Sequence, residues 1–178
     1  MSQLTRVSKW AAVLRGITIA AMVILPLTIV GGLFNTPLVP EALNGTLDGA
    51  PVSPDATRGQ LMTVVALNLI APLILLLTLN EMRKLFGAYV EGQVLTENSA
   101  RVILRIGQGF LALAVVPFIL RPIQTVLLTL ANPPGERSLA IGLDSDMIFF
   151  ALSGGLIMVI GWAMREASDV AAENKSFV

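Results

Sequence analysis

Side chains that could do chemistry are scarce in this chain and isolated from one another. The sequence contains no His and no Cys, so it lacks the imidazole and thiolate ligands of haem, structural zinc and iron–sulfur sites. Ser153 could act as a nucleophile only beside an activating base, and neither a His nor a neighbouring Lys is present. We therefore expect a non-enzymatic protein without a catalytic residue, metal site or cofactor.

Two polar side chains, Asn68 and Arg121, interrupt or border long apolar stretches. An amide in hydrocarbon needs a partner, so we expect Asn68 to bond to another helix, near the carbonyl that Pro72 leaves free. Arg121 is predicted at the outer membrane interface, because the helix that begins near Arg101 has risen about 30 Å by that point. The alternative is a deeper Arg121 paired with an external carboxylate, Asp144 or Asp146.

The elements that carry these residues are four apolar segments, at about 13–34, 61–79, 102–120 and 147–164. A bilayer core about 30 Å thick needs about 20 apolar helical residues, so each segment is long enough, or nearly so, to cross it. The chain is 54% hydrophobic and 13% charged, with a mean hydropathy of +0.77, against about 25% charged residues in soluble domains. These features predict an all-α integral membrane four-helix bundle that forms a single domain over residues 1–178.

The charges predict the orientation of this bundle. Nine of the 12 basic residues fall in the termini and the middle connection, and Lys and Arg are retained on the cytoplasmic side. The other two connections, 35–60 and 121–146, hold Arg58 and Arg137, with Arg121 at the border of the second, against six carboxylates. Both termini are therefore predicted to be cytoplasmic. The formal net charge is +0 and no basic patch is present, so direct nucleic-acid binding is not expected.

The cytoplasmic connection, residues 80–101, reads as a helix, a tight turn and a helix. Gly92 suits the C-terminal turn of the first helix and Thr96 the N-cap of the second. The surface is either a solvated face or a docking site for a partner, and a helical tail over 165–178 could lie against it. The candidate docking residues are Leu85, Phe86, Tyr89, Gly92, Thr96, Asn98 and Arg101.

Small residues mark candidate helix-packing faces. Ala12, Gly16 and Ala20 recur every four residues in the first span, and Ala151 and Gly155 have the same spacing in the fourth. Such faces allow helix backbones to approach closely, either within the bundle or, for the first span, between two copies of the chain. With Asn68, these are the predicted packing residues. After Arg121, a second apolar run from 123 to 130 predicts a helix that lies on the outer surface.

A set of residues in the connection resembles the signature of a bacterial membrane protein family, domain of unknown function 2975. These are Leu85-Phe86, Tyr89, Gly92-x-Val94-Leu95-Thr96-x-Asn98, Arg101, Ile106 and Gly107, with a similar tail, Glu173-Asn174-x-x-Phe177-Val178. Members often have Phe where this chain has Leu95. The resemblance covers essentially the whole chain and implies a four-helix protein of the bacterial inner membrane, frequently encoded beside a short helix-turn-helix regulator. It implies no established activity.

Three functional classes remain open. The first is a regulatory or sensory membrane protein that holds a cytoplasmic partner, such as a small transcription regulator. The second is an accessory or structural subunit of a larger membrane complex, and the third is a minimal transporter. The absence of Asp and Glu within the spans disfavours the transporter. The cytoplasmic residues carry the recognisable pattern, which favours the regulatory class.

Overall fold

The computed structural model of the chain describes residues 3–35, 37–40 and 52–176, with side chains for 5–35, 37–40 and 52–170. Within these ranges the chain is helical and contains no strand. The elements are α1 (Gln3–Asn35), α2 (Arg58–Asn68), α3 (Ile70–Val90), α4 (Glu97–Thr129) and α5 (Ser145–Ser176). α2 and α3 are nearly continuous and together make one long segment. The five helices therefore provide four segments long and apolar enough to cross a membrane. This confirms the all-α, four-span prediction.

The helices are longer than the predicted spans. α1 and α4 each have 33 residues, which corresponds to about 50 Å at about 1.5 Å per residue. A hydrocarbon core is about 30 Å thick, so the ends of these helices extend beyond it.

The helices pack as an open layer, in the order α1, α3, α4, α5, with α2 against α3 and α4. Within the described residues, α1 has no comparable contact with α4 or α5. The start of α1 lies beside the end of α3, since Ser8 Oγ donates to Val90 O at 3.3 Å. The molecule thus has a turn end, which carries residues 91–96, and a loop end, which carries residues 52–57 and 130–144.

Glycines bring α4 and α5 into close contact. A Cβ on Gly107 would lie 2.9 Å from Gly154 O, and a Cβ on Gly154 would lie 2.9 Å from Gly107 O. A Cβ on Gly161 would lie 2.8 Å from Leu104 Cγ. Because α4 runs away from the turn and α5 runs back beside it, the end of α5 returns to the turn end, where α1 begins.

Two predicted packing faces, one in α1 and one in α5, do not lie in these seams. Ala12, Gly16 and Ala20 are exposed, and nothing lies within 4 Å of a Cβ built on Gly16 or on Gly155. Ala151 is half-buried. The prediction of an internal seam on these faces was therefore wrong: α1 buries the neighbouring face of Ala11 and Thr18, and α5 turns Gly154 towards α4. The homodimer alternative for α1 stays a prediction.

The apolar run from 123 to 130 is not a separate surface helix, because α4 continues through Pro117 and Pro122 to Thr129. One face of its last turns is buried, since Gln124 is 6% exposed and Thr125 and Leu128 are 0% exposed. Leu128 packs in a small core with Val52, Leu61 and Val64. The stretch therefore extends α4 and packs one face against protein, while Ile123 and Val126 on the other face are exposed.

Candidate functional site

The turn between α3 and α4 is closed by backbone hydrogen bonds. Gly92 has a φ of 80°, which is the left-handed conformation favoured for glycine at helix ends. Its N–H donates to Tyr89 O at 3.2 Å, and Gln93 N donates to Ala88 O at 2.9 Å. This bond pair is a Schellman motif and confirms the predicted role of Gly92.

A side-chain cap closes the other half of the turn. Thr96 Oγ1 accepts a hydrogen bond from Ser99 N at 3.1 Å, which confirms Thr96 as the N-cap of α4. Ser99, only 1% exposed, donates through Oγ to Gln93 O at 2.8 Å. The backbone of the turn is therefore tied to the helices on both sides.

The predicted docking residues divide into buried and accessible groups. Leu85 is 9% exposed and packs with Val102, Ile103 and Ile106, and Tyr89 packs against this cluster. Asn98 and Arg101 are exposed, and Arg101 pairs with Glu97 at 2.8 Å. The buried Leu85 stabilises the α3–α4 contact and offers no docking surface.

Leu95 was not among the candidate residues, although its side chain is 72% exposed. It stands in the turn immediately before Thr96, close in sequence to the exposed Asn98 and Arg101. A sequence signal was present, because an apolar residue immediately before a helix N-cap commonly packs against the fourth residue of the helix, and here that residue is the small Ala100. A single exposed Leu is common on protein surfaces, whereas an apolar patch that extends beyond one residue marks an interaction site.

A groove lies beside the turn, between the first turns of α1 and the end of α3. It has a volume of about 450 Å³, and Trp10 on its wall is 68% exposed. Phe86 and Tyr89 line it from α3, opposite Arg6 and Val7 of α1. The groove and Leu95 make the turn end rich in exposed aromatic and apolar side chains.

An ionic contact joins α3 and α4 below the turn. Glu81 pairs with Lys84 on its own helix, and its Oε2 lies 3.7 Å from Arg105 Nη1 of α4. The Glu81 side chain is only 16% exposed. These charges reinforce the apolar α3–α4 seam near the turn end.

At the other end of the spans, an amide pair links α2 to α4. Gln124 Nε2 donates to Asn68 Oδ1 at 2.9 Å, which confirms the prediction that Asn68 bonds to another helix. Pro72 has no N–H to donate to the Asn68 carbonyl, and the helix is interrupted at Leu69, whose N–H bonds to Ala66 O at 3.2 Å. The helical segment formed by α2 and α3 is thus interrupted next to Asn68, where Asn68 contacts α4.

Arg121 lies close to this amide pair and binds Asp144 through Nη2. Asp144 is one of the two carboxylates considered from the sequence. The hydrogen bond from Arg121 lowers the pKa of the Asp144 carboxyl below its usual value. The side chains of Arg121 and Asp144 are 22% and 43% exposed, so the pair is accessible from outside the protein.

A cavity of about 150 Å³ lies between α2, α3 and α4 beside this pair. Asn68, Arg121 and Gln124 provide its polar wall, and Pro117 and Leu120 are among its apolar lining residues. A guanidinium and two amides therefore converge at the break between α2 and α3. We call this cavity the arginine pocket.

An extended segment, residues 138–144, runs back along α4 to the arginine pocket; we call it the strap. Its backbone is held at two points, because Ser138 N donates to Thr129 Oγ1 and Ala140 N donates to Thr125 Oγ1, both at 3.2 Å. Alternate residues point away from α4: Leu139, Ile141 and Leu143 are 60%, 64% and 72% exposed. The strap ends at Asp144, where α5 begins.

Comparison with family models, with curated proteins and with solved structures found no match. The resemblance to domain of unknown function 2975 therefore depends on the motif residues alone. Several of these have structural roles here: Gly92 and Thr96 shape the turn, and Gly107 lies in the α4–α5 seam. The tail residues Phe177 and Val178 lie outside the described residues.

Proposed function

We propose that this protein is a regulatory or sensory protein of the bacterial inner membrane that holds a cytoplasmic protein partner, such as a small transcription regulator, at its turn end. One observation carries the proposal: a turn capped on both sides presents an exposed Leu95 together with Asn98 and Arg101. Burying Leu95 against a partner would remove an unfavourable contact with water. The fixed backbone would limit the entropy lost on binding.

The neighbouring groove supports the same proposal. Trp, Tyr and Arg are the residues most enriched in the energetically dominant positions of protein interfaces, and the groove contains Trp10, Tyr89 and Arg6. An apolar side chain from the partner could enter the groove while Leu95 enters the partner. The turn and the groove would then form one continuous binding surface.

The orientation belongs to the proposal as well. Most described basic side chains lie towards the turn end: Arg6, Lys9, Arg15, Arg83, Lys84, Arg101, Arg105 and Arg165. The positive-inside rule then makes the turn end cytoplasmic. Both chain ends would lie on that side.

Co-purification from the native host tests the proposal. We expect Leu95→Ser with Asn98→Ala and Arg101→Ala to release a soluble DNA-binding protein that the unmodified protein retains. Leu139→Ser with Arg137→Ala is the matched control, because it removes an exposed Leu and an Arg at the loop end. Undiminished recovery of the partner with the turn variant would contradict the proposal.

An accessory subunit is the second candidate, and the exposed face of α1 favours it. Only 6% of the apolar window of α1 is buried, against 33% for α4, and Ala12, Gly16 and Ala20 lie on the exposed surface. A helix of another membrane subunit could approach this face closely. Gly16→Leu should then release integral subunits from the purified protein, while Gly155→Leu should retain them.

A further inference from the structure

We propose that the arginine pocket is a binding site for the phosphate or carboxylate group of an anionic ligand, and that Asp144 occupies Arg121 in the ligand's absence. The inference rests on the proposed function, for which it identifies the class of stimulus. It places signal recognition at the loop end, at the opposite end of α4 from the turn that binds the partner.

The contact with Asp144 shows which kind of group Arg121 binds. The guanidinium binds a carboxylate from the residue that precedes α5, and planar guanidinium groups bind carboxylate and phosphate in the same manner. Asp144 is 43% exposed, so this carboxylate can leave without unpacking a core. An external anion could therefore take its place on Arg121.

The pocket provides further contacts for such a ligand. Asn68 accepts from Gln124 through Oδ1, and its Nδ2 donates to no acceptor within the described residues. This amide nitrogen is available to an oxygen of the ligand. A cavity of about 150 Å³ provides room for a phosphate or carboxylate group but not for a large molecule.

The surroundings favour a ligand that approaches from the membrane. The external connections carry six carboxylates, which repel free anions in solution. Asn68 also lines a second, mainly apolar cavity of about 310 Å³ between α1 and the α2–α3 break. An anionic lipid could place its head group on Arg121 and a hydrocarbon chain in the apolar cavity beside Asn68.

Ligand binding would change how α5 begins. Asp144 O accepts the hydrogen bond of Ile148 N at 3.2 Å, so this residue opens the first turn of α5. Its side chain also connects that turn to α4 through Arg121. When a ligand takes Arg121, this side-chain link between α4 and the residue that precedes α5 is lost.

Calorimetric titration of the purified protein tests the proposal. The titrants are a short-chain phosphatidylglycerol, the matching phosphatidylcholine, and inorganic phosphate. We expect phosphatidylglycerol to bind and Arg121→Gln to weaken it about tenfold or more, because a charge-assisted hydrogen bond is lost. Arg58→Gln is the matched control, since it removes an exposed Arg at the loop end outside the arginine pocket.

Asp144→Asn separates a binding site from a purely structural ion pair. Loss of the internal carboxylate should strengthen phosphatidylglycerol binding about tenfold, whereas a structural pair would give unchanged or weaker binding, which would overturn the proposal. Binding of inorganic phosphate with equal affinity would support the site and assign it to free anions. Absence of binding by both anions would overturn it, even if Arg121→Gln fails to fold.

The two proposals fail separately. The titrations use the protein without a partner, and the co-purification uses variants at the turn end. If the partner is retained but no anion binds, only the arginine pocket is refuted. If an anion binds but no partner is found, the pocket remains as a ligand site and the regulatory function is refuted.

Discussion

At the level of single side chains, two groups of polar residues have different roles in this protein. Thr96 and Ser99 bond within the turn and stabilise it. Asn68, Arg121 and Gln124 meet around a cavity. The first group explains how the turn keeps its shape, and the second group is the better candidate for ligand chemistry.

The cap at Thr96 gives a prediction for stability. Thr96→Ala removes the acceptor for Ser99 N and should lower the free energy of unfolding by about 1 kcal/mol. Thr96→Ser keeps the hydroxyl and should retain most of the stabilisation by the cap. Denaturation in mild detergent would measure both variants, and equal stability of the Ala and Ser variants would contradict the assignment of the cap.

The Arg121–Asp144 pair gives a prediction for pH. The hydrogen bond from Arg121 lowers the pKa of the Asp144 carboxyl. The contribution of the pair to the free energy of unfolding is therefore complete above the usual Asp pKa of about 3.9. It should be lost as the pH falls below that value, through the lower pKa of the folded state. Carbon NMR of labelled Asp144 would follow the titration, and Arg121→Gln should move the pKa upwards.

Among the helices, the adjacent glycines Gly154 and Gly155 offer a matched pair. Gly154→Ala places a Cβ 2.9 Å from Gly107 O, so it should destabilise the α4–α5 contact by about 1–3 kcal/mol. Gly155→Ala places its Cβ in open space and should cause no loss. Detergent denaturation of the two variants provides the measurement, and equal losses would show that this seam does not determine stability.

The same glycines show the limit of prediction from sequence for such helices. Spans follow from hydropathy, and Gly92 and Thr96 follow from local backbone chemistry. The face of an apolar helix that packs against protein is harder to predict. Lipid tails are as apolar as a protein interior, so the helix has no polar face to serve as a guide. Gly16 and Gly155 therefore looked as suitable for packing as Gly107 and Gly154.

The arginine pocket could be predicted only in part. Asn68 stood out as an isolated amide, and a pair between Arg121 and Asp144 was a recognised alternative. Gln124 was missed, because the apolar run around it indicated a surface helix. The strap was missed as well, although alternation of Leu139, Ile141 and Leu143 with small or polar residues is typical of an extended segment with one apolar face.

For the molecule as a whole, the helix order places the start of α1 and the end of α5 at the turn end. Because the chain contains no Cys, single Leu95→Cys and Glu136→Cys variants can be labelled without background. In the proposed orientation, a membrane-impermeant thiol reagent applied to intact spheroplasts should label Glu136→Cys and spare Leu95→Cys. Labelling of Leu95→Cys alone would show that the protein has the opposite orientation in the membrane.

The strap also determines where foreign sequence can be accommodated. Its backbone is bonded to α4 on one side, and its three outward side chains are hydrophobic, so an epitope tag inserted there would detach it and place polar residues against lipid. The exposed tip at Pro134 and Gly135 lies beyond both attachment points. In the proposed orientation, an epitope inserted between these two residues should be accessible to antibody on intact spheroplasts while the helices stay assembled.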